Sequence, residues 1–150
     1  MSRWRFTFAA IMVTALTALA VAQGQDKGKP QVEQVKLWAV ISVPQPIFYG
    51  RETNALQIGF GVFNDGRSPM NPTIDSSHLF INGVELKDWL FIVTNGPRTS
   101  SFSSLPPGQF LRFSAVLGKY FQKPGAYTVR WECETFKATE ITFRVLPGDL

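Results

Sequence analysis

Lys123-Pro124-Gly125-Ala126-Tyr127-Thr128-Val129-Arg130-Trp131-Glu132-Cys133 is the stretch on which the reading of this 150-residue chain turns. It opens on a Pro-Gly turn and then alternates. Tyr127, Val129, Trp131 and Cys133 fall on one side of an extended backbone, with Thr128, Arg130 and Glu132 on the other. A period of two marks a strand with one buried face. An inner face carrying Tyr and Trp needs a second layer to cover it, so the segment reads as the central strand of a β-sandwich.

The flanking sequence repeats this pattern. Val35–Ser42 reads as a first strand, and Pro44 and Pro46 suit an edge or a kink after it. Ile47–Tyr49 is a short extended patch. Ala55–Phe63 is a strand with Leu56, Ile58, Phe60 and Val62 on its apolar face, stopped by Asn64-Asp65-Gly66. Asn82-Gly83, between His78–Ile81 and Val84–Leu86, predicts a tight hairpin because both turn residues tolerate positive φ. Trp89–Val93 is a continuous apolar run and is assigned as a strand. Phe110–Leu117 places Leu111, Phe113 and Ala115 opposite Phe110, Arg112 and Ser114, and Thr139–Leu146 turns Ile141, Phe143 and Val145 inward. Turn signals separate the segments, and no helical period follows residue 22. The expectation is an all-β, antiparallel sandwich of seven to nine strands over residues 35–147.

A chain of this length buries enough surface for one core without disulfides or a metal. That fits its single Cys and single His. Arg3 and Arg5 precede the apolar run Phe6–Ala20, and Ala20-Val21-Ala22 offers small residues where a signal peptidase cuts. Residues 1–22 therefore read as a secretory signal peptide. The run is shorter than the roughly 20 residues a spanning helix needs. Residues 23–34, rich in Gln, Lys, Gly and Asp, read as a flexible linker. Removing the signal leaves 13 basic against 11 acidic residues, with no basic run, which argues against nucleic acid or a membrane as partner after cleavage. The expected location is secreted or periplasmic.

Gly125-x-Tyr127-x-Val129 resembles the start of the F strand of immunoglobulin-like domains. The resemblance implies that Tyr127 is a corner tyrosine whose hydroxyl returns to an upstream backbone group. Val129 stands where antibody domains carry Cys, and Ala55–Phe63 has no Cys to pair with it. Apolar contact of Ile58 or Phe60 with Val129 would replace the bridge. Asn64-Asp65-Gly66, Leu105-Pro106-Pro107-Gly108-Gln109 and Pro124-Gly125-Ala126-Tyr127 resemble, in that order, bacterial secreted immunoglobulin-like modules. More distantly they are similar to a bacterial proteinase-inhibitor sandwich. These are turn and core residues, which speak for fold rather than activity.

Several constellations carry residue types that could form a site. Asp75-Ser76-Ser77-His78 gathers Ser, Asp and His, but a nucleophilic triad needs the His held between the other two in space, so a polar strand start is expected. Glu132 and Glu134 would lie roughly 6–7 Å apart on one face. With Lys137, Glu140 and Arg144 nearby they read as a solvated charged face rather than a hydrolytic pair. Cys133 reads as a buried thiol, with an intermolecular disulfide as the alternative. Gly59 and Gly61 leave a bare strip that an aromatic such as Phe63 or Trp38 would cover. The long loop Thr94–Gly108 carries Arg98 and Phe102, the best candidates for a partner contact. No catalytic residue, cofactor or metal is assigned. The expectation is an exported non-catalytic binding or structural module that meets another exported protein or a surface polymer. The alternative is an inhibitor of a secreted hydrolase acting through the 94–108 loop.

Overall fold

The computed structural model describes residues 37–148; the expected signal peptide and linker lie outside the described residues. The fold is all-β, with two sheets and one short helix. The strands are β1 (Leu37–Ser42), β2 (Ile47–Tyr49), β3 (Gln57–Asn64), β4 (His78–Ile81), β5 (Val84–Glu85), β6 (Phe110–Val116), β7 (Gly125–Glu132) and β8 (Ile141–Leu146). One sheet has the order β1-β3-β6, the other β2-β8-β7-β4-β5. Among the described residues, no helix is long and apolar enough to cross a membrane.

Alternation puts one side of each long strand into a shared core. Ile58, Phe60 and Val62 of β3 are buried, as are Leu111 and Ala115 of β6 and Val129 and Trp131 of β7. The two sheets meet through rings. Trp131 stands edge-on to Phe60 at 5.1 Å and to Phe113 at 5.7 Å. A second aromatic group joins Phe143 to Phe121, Phe48 and Tyr127 at 5.0, 5.4 and 5.8 Å. Edge and offset contacts of this kind add about 0.5–1.5 kcal/mol each beyond the area they bury. Trp131 is fully buried, and its indole N–H has no partner among the described atoms, a cost its packing must outweigh.

The turns follow their residues. Asn82 and Gly83 take φ of 50° and 78° and close the β4–β5 hairpin, and the Asn82 carboxamide oxygen accepts the Thr128 N–H. The Tyr127 hydroxyl donates to the Lys123 carbonyl at 2.8 Å, tying the start of β7 back on itself. Asn64, fully buried, ends β3 as a hub. Its amide donates to the Ser68 and Leu105 carbonyls, and its oxygen accepts the Gly66 N–H.

Two sequence expectations are corrected. Trp89–Val93 is not a strand: Trp89–Thr94 forms helix α1. Trp89 and Val93, four residues apart, are the buried pair, while Leu90 and Phe91 face outward. A short continuous apolar run fits either period, and the buried i, i+4 pair decides for the helix. The second sheet is also not purely antiparallel, because β2 runs parallel to β8, with Ile47 opposite Arg144 and Tyr49 opposite Leu146.

Candidate functional site

The triad-like cluster disperses into separate structural contacts. Asp75 pairs with Arg98. The Ser77 hydroxyl donates to the Ile74 carbonyl and accepts the Trp89 indole N–H. His78, the first residue of β4, pairs through Nδ1 with Glu85 across the hairpin. Each of the three side chains therefore holds a turn, a helix or a hairpin in place.

Arg98 and Phe102 form one unit on the 94–108 segment. The guanidinium reaches Asp75 with two hydrogen bonds, 2.6 and 3.0 Å, and lies 4.7 Å over the Phe102 ring. The Asp75 hydrogen bond raises the Arg98 pKa above its ordinary value, against the opposing effect of desolvation. Phe102 is only 6% exposed and packs on Phe113 at 5.4 Å. The ring expected at a partner contact is therefore a core residue, because the loop is not free. Ser100–Phe102 forms a 3₁₀ turn, and Met70 and Leu105 pair through both backbone groups. Leu105 is fully buried.

At the end of β7 the strand stops and Cys133 opens a tight turn, its N–H bonded to the Phe136 carbonyl. Cys133 packs against the core as its register predicts, but it is half-buried rather than fully buried. Its sulfur lies 3.0 Å from the Thr135 hydroxyl and 3.4 Å from that of Thr73. It borders a cavity of 520 Å³ together with Glu132, Glu134, Lys137 and His78. Glu132 faces Lys137 at 3.7 Å and Arg130 at 3.5 Å. The acid is thus matched to cations, and the thiol to hydroxyls rather than to a base that would activate it.

The outer face of the three-stranded sheet is different. Trp38, Phe63 and Phe110 stand opposite one another on β1, β3 and β6, making one aromatic row across the sheet. Trp38 is 57% exposed, Phe110 39% and Val116 57%. The next rung is Val40, Gly61 and Arg112. Here the Phe110 ring lies across Gly61, and the Ser42 hydroxyl sits against Gly59. Gly61 is thus covered by an aromatic, Phe110 rather than Phe63 or Trp38, whereas Gly59 meets only Ser42. Arg112 lies 4.7 Å over the Phe110 ring, so its charge rides on the apolar surface. Trp38 donates its indole N–H to Asp65. The sequence sets Leu111, Phe113 and Ala115 opposite Phe110, Arg112 and Ser114 without deciding which side faces inward; the structure turns Phe110, Arg112 and Ser114 outward. The signal that sequence reading passed over was Trp38 and Val40 alternating with the buried Leu37, Ala39 and Ile41.

No protein-family model matches the chain, and no curated protein matches it.

Proposed function

We propose that the chain is an exported, non-catalytic binding or structural module with an immunoglobulin-like sandwich fold, and that the three-stranded sheet is the part that meets its partner, another exported protein. The observation that carries this is the aromatic row Trp38–Phe63–Phe110 on a sheet whose outer face no other described strand covers. Large aromatics left exposed on a sheet favour partner contact over solvation. The corner hydrogen bond of Tyr127 and the apolar core at Val129 and Ile58 are in keeping with the immunoglobulin-like reading. Arg3 and Arg5 ahead of the apolar run Phe6–Ala20, with small residues at Ala20 and Ala22, support export. The inhibitor reading has less support, because Phe102 and Leu105 are spent on the core and Arg98 on Asp75.

Two steps test this. The full chain is expressed in a bacterial host, fractionated and sequenced from its N-terminus. The expected product lies outside the cytoplasm and begins at Gln23; an uncleaved cytoplasmic product contradicts export. A photo-crosslinking residue is then placed at Trp38 in the native host. Capture of another exported protein there, and not from the same residue at Lys87, is the expected result. Capture of glycan instead would replace the protein partner with a surface polymer, and equal capture at both positions would remove the sheet as the site.

A further inference from the structure

Strand β6 is an end strand of the three-stranded sheet. In the β3–β6 ladder, Asn64 donates to the Gln109 carbonyl and Leu117 to the Leu56 carbonyl. Antiparallel residues alternate between exchanging hydrogen bonds with their neighbour and turning those groups away. Gln109, Leu111, Phe113, Ala115 and Leu117 therefore bond inward to β3. Phe110, Arg112, Ser114 and Val116 turn their N–H and C=O groups outward. Among the described residues, no hydrogen bond joins these outward groups to another element.

Sheet edges are usually blunted by shortness, Pro, Lys or a bulge. The five-stranded sheet follows that rule, ending in β2 of three residues and β5 of two. Strand β6 has seven residues, Phe-Leu-Arg-Phe-Ser-Ala-Val, with no Pro, no Lys and an unbroken register against β3.

We infer that β6 pairs antiparallel with β6 of a second copy of this chain, about a two-fold axis at Phe113. This goes beyond the proposed function, because it assigns the edge of the same sheet to a second copy and leaves the aromatic face to the other exported protein. Two-fold pairing of one strand with itself is necessarily antiparallel and presents the same patch twice. Centred on Phe113, the register sets Phe110 opposite the second copy's Val116 and Arg112 opposite its Ser114. The outward backbone groups of all four residues then meet their counterparts, forming about eight hydrogen bonds. Each exposed apolar side chain meets an apolar one, and the cation meets a neutral hydroxyl. Centring on Arg112 would place the two guanidiniums directly opposite each other, which is destabilising. Centring on Ser114 would set Arg112 against Val116 and leave Phe110 facing beyond the strand. Charge and apolar match thus select one register.

Sedimentation equilibrium on the purified protein, with three substitutions at one position, tests this. The wild type is expected to dimerise reversibly. Ser114→Pro removes an outward N–H and no bond to β3, and should raise the dissociation constant about tenfold or more. Ser114→Lys faces Arg112 of the second copy and should also weaken the dimer. Ser114→Glu faces the same guanidinium and should tighten it. Circular dichroism melts check folding, and the Lys and Glu variants keep the test open if the Pro variant unfolds. A wild type that stays monomeric at hundreds of micromolar overturns self-pairing, while the capture experiment at Trp38 judges the broader reading separately. A dimer indifferent to all three variants overturns the β6 edge. Lys and Glu acting alike overturns the register.

Discussion

The two sheets supply one core but treat their margins in opposite ways. The five-stranded sheet ends in strands of three and two residues, the latter being β5, which the Asn82-Gly83 hairpin folds onto β4. The three-stranded sheet ends in strands of six and seven residues, and its outer face carries Trp38, Phe110 and Val116 in solvent. The five-stranded sheet thus ends in strands too short to offer a long unpaired edge. The other can keep unpaired backbone and exposed rings, and those are the features a partner uses.

The contrast can be broken from the inside first. Trp131→Ala removes the ring that joins both sheets through Phe60 and Phe113. It should cost about 3–5 kcal/mol in chemical denaturation. A loss under about 1 kcal/mol would mean the sheets do not depend on each other through this residue. Asn64→Ala comes next, because it leaves the Leu105 and Ser68 carbonyls and the Gly66 N–H without their side-chain partner. The expected loss is about 2–3 kcal/mol by the same measurement. Tyr127→Phe deletes only the bond to the Lys123 carbonyl and should cost about 1 kcal/mol. Val116→Lys, on the exposed face, should leave the melting transition nearly unmoved, within about 0.5 kcal/mol, while weakening self-association. Core residues would then change stability and edge residues association, which is the comparison in its sharpest form.

Much of this was legible in the sequence because strands with one buried face declare themselves by alternation. Ile58, Phe60 and Val62, and Val129 and Trp131, were placed correctly on that basis, and Asn82-Gly83 gave its turn directly. Trp89–Val93 was not legible as a helix, since five apolar residues in a row carry no period. The parallel pairing of β2 with β8 joins segments nearly a hundred residues apart, and no local signal encodes it. The 94–108 loop misled for a related reason. Its Ser and Thr content suggests solvent, yet Phe102 and Leu105 anchor it in the core. The exposed site stayed hidden because side-chain alternation tells which face is apolar, but not which strand ends up with an unpaired edge.

Amide hydrogen exchange followed by NMR, at low and at high protein concentration, tests the open edge most directly. Leu111, Phe113 and Ala115, bonded to β3, should be protected at both concentrations. Arg112 and Ser114 should exchange quickly in dilute solution and slow as concentration rises. Protection of those two amides that is already complete in dilute solution, or absent at every concentration, would contradict an edge that stands open for a second copy.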